Sequence, residues 1–445
     1  MKNIILIVFI ILTFISCKYQ SEKVENGSQS SKVEVKSVNG QSHFYVNDSL
    51  FQLKGIGFNF EYNSNLESLK KTGANAIRTW STKYADTILK AARKQGVMVA
   101  LGISMGKELW GFNYEDSLAV ANQFEKVKSI VETYKSHPNL LCWVVGNELN
   151  LLFEADGETL KTVNPKVYDA ISDIVDYIHE TDINHPVTMT FAGVIPEHLQ
   201  TALERVPQLD IVSVQVYADL ENVEARMKEV DVEKPYMITE FGPKGFWEMP
   251  KTEWNREIEE ASGPKADGIK HRMKVGLANN TSGKCLGGFA FVWGQKHERT
   301  PTWYGMHHAD GKQTEYIDIL TKLWTGNYPE NRAPRVDSLL LNSLHAVDNV
   351  YLKPNTEYTA QVFASDPNKD TLNYSWEVAQ EVDKRSQGGE KEVQPPRIAV
   401  KIVSSEEGYF TFITPKETGA YRILSYVYDS KNKAGNANIP FYIKN

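Results

Sequence analysis

The sequence predicts an α/β fold, a (β/α)8 TIM barrel followed by a C-terminal all-β immunoglobulin-like sandwich. Three observations predict it. Between about residues 37 and 328, short β-branched or apolar runs alternate with stretches of helical period, which implies parallel strands joined by right-handed crossovers. There are eight such runs, the number one closed barrel needs. Past Tyr328 the texture changes to period-two alternation broken by turn clusters.

Taken in order, Met1-Lys2-Asn3 and the apolar run from Ile4 to Ile15 have the shape of a signal peptide. The run is too short for a spanning helix, which needs about 20 residues. Phe14-Ile15-Ser16-Cys17 resembles the lipobox of bacterial lipoproteins, with Phe where Leu is usual. The resemblance implies lipidation at Cys17 and a lipid-anchored place in the bacterial cell envelope, on the periplasmic or surface side of the outer membrane. Residues 1–17 are then the signal peptide. Residues 18–36 are rich in Ser, Lys, Glu, Gln and Asn and read as a flexible tether. Cys142 and Cys285 lie in apolar segments, so they read as small buried hydrophobes, with neither a disulfide framework nor metal-ligand spacing. No metal or cofactor is expected.

The predicted barrel, residues 37–328, takes its strands from 53–58, 76–80, 98–103, 140–145, 187–191, 211–217, 236–240 and 288–293. Helical period is plainest over 85–94 and 122–135. The rival open sheet lacks a G-x-G-x-x-G turn after its first strand. Residues 329–334 read as a linker and 335–445 as the sandwich. In the sandwich, Asp366 and Asp370 could bind calcium, but an Asx-type turn is the commoner reading. The formal charge of −7, with 49 Lys plus Arg against 56 Asp plus Glu and no basic stripe, argues against a nucleic-acid partner. The 9 Trp and 21 Tyr suit stacking on sugar rings, so a carbohydrate is the expected partner, with the membrane reached through the lipid.

Two carboxylates carry the chemistry. Glu148 follows the fourth predicted strand and Glu240 closes the seventh, and in a barrel those strand ends face each other across the mouth. A pair about 5–5.5 Å apart suits retaining glycoside hydrolysis, one group attacking the anomeric carbon while the other protonates the departing oxygen. For this the acid must hold its proton near neutral pH.

Ser136-His137-Pro138-Asn139 running into Trp143-Val144-Val145-Gly146-Asn147-Glu148, together with Lys234-Pro235-Tyr236-Met237-Ile238-Thr239-Glu240-Phe241-Gly242, resembles clan A of the glycoside hydrolases over about residues 40–325. The catalytic barrel of family 2 is among its nearest relatives. The resemblance implies Glu148 as acid/base and Glu240 as nucleophile. It also implies Asn147 on the sugar 2-hydroxyl, Arg78 and Tyr217 on Glu240, and Trp293 as the hydrophobic floor under the sugar. Family 2 enzymes usually carry sandwich domains before the barrel, whereas here the β-rich module follows it. That architecture is more similar to bacterial β-1,3-glucan hydrolases of clan A.

Trp80, Trp110, Trp247 and Trp303 are candidate stacking platforms, joined by Phe112 and Tyr304. The long segment 243–284, with Trp247 and Trp254, is expected to wall one side of a cleft. The function expected is a retaining β-glycoside hydrolase acting on a neutral glucan-like poly- or oligosaccharide, with β-1,3-glucan as a candidate. Alternatives are a glucan transglycosylase and a non-catalytic carbohydrate-binding lipoprotein; the intact glutamate pair argues against the latter. The sandwich is either a carbohydrate-binding module or a spacer or lid packed on the barrel.

Overall fold

The computed structural model describes residues 30–62, 65–155, 157, 159–382 and 392–445. The segment expected to be a signal peptide, with Cys17, lies outside the described residues. No helix among the described residues is long and apolar enough to cross a membrane.

The chain enters through an antiparallel sheet of β1 (Val33–Val38), β2 (Gln41–Val46) and β3 (Ser49–Phe51). This corrects the tether, whose last residues belong to β1. Asn39 and Gly40 both have positive φ, 53° and 77°, so Asn-Gly makes the two-residue turn whose twist matches a hairpin. Val33 and Phe44 share a buried cluster with Leu53, Ala76, Ala100, Ile211, Met237 and Phe289, which places the sheet over the amino-terminal end of the barrel. Ser31 anchors its start, donating to the Leu140 carbonyl at 2.8 Å.

Eight parallel strands close the barrel. They are β4 (Gly55–Phe58), β5 (Ala76–Arg78), β6 (Met98–Ile103), β7 (Leu140–Val145), β8 (Val187–Ala192), β9 (Ile211–Gln215), β10 (Tyr236–Phe241) and β11 (Cys285–Trp293). All eight predicted runs are strands. Such strands face the barrel interior on one side and helices on the other, so their sequences are nearly continuous in apolar residues: every residue of β7, Leu-Leu-Cys-Trp-Val-Val, is buried. The helices are α1 (Leu66–Lys70), α2 (Ala85–Lys94), α3 (Ser117–Tyr134), α4 (Lys166–Thr181), α5 (Pro196–Arg205), α6 (Val223–Glu229), α7 (Ser262–Met273) and α8 (Glu315–Thr325). α2 spans the predicted residues. α3 starts five residues before the predicted 122, because Asp116 caps it by accepting from the Leu118 and Ala119 N–H groups, each at 3.0 Å.

Two four-stranded sheets form the sandwich. β12 (Arg335–Leu341), β14 (Glu357–Ser365), β17 (Tyr409–Ile413) and β16 (Lys401–Glu406) make one. β13 (Tyr351–Leu352), β19 (Ala434–Ile443), β18 (Gly419–Tyr428) and β15 (Asn373–Gln380) make the other. Val336, Val362, Phe412, Ile423, Ile439 and Phe441 fill the space between them. Alternate residues of β18 and β19 point the other way, onto the barrel. Arg422 donates to the Glu257 carbonyl at 3.0 Å, the Asn436 N–H to Ser262 Oγ at 3.0 Å, and Asn438 to Glu259. Lys433 pairs with the fully buried Asp318 of α8 at 2.6 Å. Beside the linker, Asp366 accepts from the Asn368 and Asp370 N–H groups, an Asx turn. Asp429 adds a third carboxylate nearby, and Lys431 pairs with Asp370 at 3.0 Å.

The Lys433–Asp318 pair gives a test of the docked sandwich. Lys433→Met leaves Asp318 buried with no cation, and a loss of about 3–5 kcal/mol is expected in denaturant unfolding. Lys433→Met with Asp318→Asn recovers part of that loss, because no charge is then left unmatched.

Candidate active site

The carboxyl ends of the strands open onto a cavity of about 1650 Å³. Glu148 and Glu240 both line it, with Asn147, Gln215, Tyr217, Trp80 and Phe291. Arg78, at the end of β5, lies fully buried beneath.

Glu240 is held by three donors. Its Oε1 accepts from Arg78 Nη1 at 2.7 Å and from the Trp80 indole N–H at 2.6 Å, and its Oε2 accepts from the Tyr217 hydroxyl at 2.8 Å. Burial, and next the Glu240 charge, hold the Tyr217 phenol well above its ordinary range, so it stays a donor. Arg78 also reaches the fourth strand: its Nη2 donates to Asn147 Oδ1 at 2.7 Å. Gln215 Nε2 donates to the same oxygen at 2.7 Å. With its oxygen so engaged, Asn147 turns its Nδ2 toward Glu148 Oε2, 3.5 Å away.

Glu148 has a different environment. Its backbone lies in the left-handed region, φ 51°, a conformation that costs a side-chain-bearing residue about 1–3 kcal/mol. Its N–H donates to the Thr190 carbonyl of β8 at 3.1 Å, and this bond holds the turn. The side chain is 19% exposed against 8% for Glu240, so of the two it is the more open to an incoming ligand. Its carboxyl is pushed up to about 7. Burial is the largest cause and the negative Glu240 adds to it, while Lys107 and Arg78 pull the other way.

The other sequence-predicted residues divide. Trp110 and Trp247 line the cavity and are 52% and 57% exposed, as stacking platforms require. Trp80 lines it too, but its N–H is committed to Glu240. Trp293 and Trp303 are corrections. Trp293 is fully buried, donates to the Asn65 carbonyl at 2.9 Å and packs edge-on to His307, so it is core and not a floor under a sugar. The aromatic that β11 turns to the cavity is Phe291, two residues earlier. Trp303 is 1% exposed, donates to the Lys244 carbonyl and packs beneath Phe246. Tyr304 lines the cavity. Trp254 instead packs on Tyr351 and Tyr442 of the sandwich, so the 243–284 wall presents Trp247 alone of its two tryptophans.

Sequence reasoning missed Gln215, Lys107 and the trio Glu392, Val393 and Gln394, all of which line the cavity. Gln215 ends β9, a strand-end polar residue of the kind that marked Arg78. Glu392 belongs to the sandwich and accepts from Arg299 of the barrel at 2.8 Å, a pairing with no local signal.

A family profile described as Apiosidase-like, catalytic domain, matches residues 59–261. The match is consistent with the resemblance to clan A of the glycoside hydrolases. Among curated proteins, a stretch of 117 residues is 30% identical to the 1,3-β-glucanosyltransferase GAS2 of Saccharomyces cerevisiae, covering 26% of this chain and 20% of that one. A stretch of 254 residues is 20% identical to the β-glucuronidase of Chlorocebus aethiops, covering 50% and 36%. The chain thus spans well under half the length of these relatives. Two solved structures share the fold. The β-D-glucuronidase of Dictyoglomus thermophilum matches with a TM-score of 0.50 and 17% identity over 67% of this chain and 55% of that one. The FMN-binding β-glucuronidase of Faecalibacterium prausnitzii L2-6 matches with 0.52 and 13% over 93% and 59%.

Within the barrel, Arg78 is the buried charge on which the site is assembled. Arg78→Met is expected to cost about 3–5 kcal/mol in urea unfolding, since it strands Glu240 in a site built for an ion pair. Arg78→Met with Glu240→Gln should regain part of it.

Proposed function

We propose that the protein is a retaining β-glycoside hydrolase acting by double displacement on a neutral glucan-like poly- or oligosaccharide. One observation carries the reading. Two carboxyl groups line one cavity in opposite environments, Glu240 among three donors and Glu148 with its proton affinity raised to about 7.

In the first step Glu240 attacks the anomeric carbon, the glycosidic C–O bond breaks, and Glu148 gives its proton to the departing oxygen. Glu240 is then bonded to the sugar. With that negative neighbour gone, Glu148 takes a proton from water, which attacks the anomeric carbon and frees Glu240. Arg78, Trp80 and Tyr217 position the nucleophile, and Asn147 lies between the two acids within reach of the sugar's 2-hydroxyl. Trp110 and Trp247 supply exposed aromatic faces along a cavity larger than the about 300–1,000 Å³ usual for small-molecule sites, which suits more than one sugar unit.

The likeness to a 1,3-β-glucanosyltransferase supports β-1,3-linked glucan as the substrate and favours a second outcome of the same chemistry, in which a sugar hydroxyl replaces water in the second step. Product sizing on β-1,3-glucan oligosaccharides separates them: hydrolysis gives only shorter chains, transfer gives longer ones as well. Apiosides and β-glucuronides belong in the same panel, because the family profile and the β-glucuronidase relatives are named for them.

Two further outcomes are expected. Glu240→Ala should lose about 10³-fold or more in kcat and recover turnover with azide, yielding a glycosyl azide of inverted configuration. A folded Glu240→Ala that azide fails to rescue counts against the assigned nucleophile. Because Glu148 must be protonated to act as the acid, kcat/KM should fall as pH rises through about 7. Glu148→Gln should abolish that limb, with activity on activated aryl glycosides least affected.

A further inference from the structure

Lys107 is a cation that the proposed chemistry leaves without a task. It follows β6 and lines the cavity, with its side chain 6% exposed. Its Nζ lies 4.0 Å from Glu148 Oε2, and no hydrogen bond from it to a described residue is present. Its ring neighbour is Trp110, whose centroid lies 4.8 Å from the ammonium.

The backbone that carries Lys107 is fixed on both sides. The Gly106 N–H donates to Gln123 Oε1 at 2.6 Å, and the Gly106 carbonyl accepts from the Tyr114 hydroxyl at 2.7 Å. A Cβ at Gly106 would meet the Phe112 ring at 2.2 Å, so only glycine lets the turn pack this closely. The Lys107 carbonyl accepts from the Trp110 and Phe112 N–H groups, both at 3.0 Å. A turn so restrained aims a long side chain at one place.

We propose that Lys107 is a positioning residue that acts through Glu148, its ammonium stabilising the carboxylate that Glu148 becomes on giving its proton to the departing oxygen. This rests on the acid role proposed above for Glu148. While Glu148 is neutral, the other carboxylate whose charge Lys107 feels is Glu240, which is already paired with Arg78. As the C–O bond breaks and its electron pair goes to the leaving oxygen, the proton moves from Glu148 to that oxygen and a negative charge appears beside the waiting ammonium. The attraction grows along the reaction, and a preset charge of this kind lowers a barrier without stabilising the starting complex equally. The charged groups facing Glu148 are Lys107 from the β6 loop, Glu240 from β10, Arg78 from β5 and Glu298 from the loop after β11. Of the two cations, Lys107 is the one without a bonded carboxylate.

The decisive experiment needs no turnover. In protein labelled with ¹³C at the glutamate side-chain carboxyls, with the Glu148 signal assigned by Glu148→Gln, the wild type should titrate near 7. Lys107→Met should raise that midpoint by about one pH unit, and Lys107→Arg should restore it. A midpoint unchanged in folded Lys107→Met overturns the proposal.

Kinetics supply a second readout that a merely structural role would not move. On laminaribiose, whose sugar leaving group needs the proton, Lys107→Met should lower kcat/KM about tenfold. On 2,4-dinitrophenyl β-glucoside, whose leaving group does not, the loss should stay under about threefold. Equal losses on the two overturn the proposal. If the wild type cleaves neither, nor any glycan of the panel, the hydrolase reading fails while the titration still decides whether Lys107 governs Glu148.

Discussion

A guanidinium with no exposure to solvent is the constraint on which this site depends. Arg78 is fully buried at the end of β5 and must find its partners inside the barrel. It finds Glu240 and the Thr239 carbonyl on β10 and Asn147 after β7. Removing water from such a charge costs several kcal/mol, which is offset only when every partner is in place. Because the guanidinium is planar and its N–H groups point in fixed directions, it also sets where those partners stand. One side chain therefore ties three strands of the closed sheet together at the level where both glutamates emerge.

From that anchor the two acids diverge. Glu240 is approached on both oxygens by donors that are themselves immobilised: Arg78 by its bond to Asn147, Trp80 by packing on Phe291, Tyr217 by packing on Phe291 and Tyr304. Glu148 gains no such set. Its left-handed backbone turns the side chain into the cavity, where burial raises its proton affinity and the nearest cations only partly counter that. The same functional group thus stands in two environments, one ringed by donors and one governed mainly by burial. Asn147 sits at the seam, its oxygen fixed by Arg78 and Gln215 and its amide turned to Glu148.

Legibility followed the same division between local and long-range causes. All eight barrel strands were readable, because a strand buried on both faces writes an unbroken apolar run. Glu148 and Glu240 were readable as a pair of carboxylates at the carboxyl ends of two facing strands, whereas Arg78, Asn147 and Tyr217 were legible only through the resemblance to clan A. The amino-terminal sheet was missed although Asn39-Gly40 and Asn47-Asp48 each carry turn residues of positive φ, because its strands are half-exposed and rich in polar residues. Trp293 and Phe291 alternate with Val292 along one strand, and no pattern in that all-apolar segment says which aromatic reaches the cavity. Lys107 and Gln215 were hidden because loop and strand-end polar residues are common, and their role comes from neighbours far away in sequence.

The sandwich was hardest to place for a reason that bears on what it does. The face of β18 and β19 that meets the barrel carries Arg422, Asn436 and Asn438, residues that alternation alone assigns to solvent. They are buried because the barrel offers matching groups, Glu257 and Glu259 on the segment between β10 and α7 and Ser262 at the start of α7. A polar face matched at these points fixes orientation more strictly than an apolar one, since a small shift strands several hydrogen-bonding groups at once. The same docking carries Glu392 to Arg299 and so brings Val393 and Gln394 to the rim of the cavity. One wall of the cleft is therefore built across two domains, and the sandwich belongs to the geometry of the site as much as the loops of the barrel do.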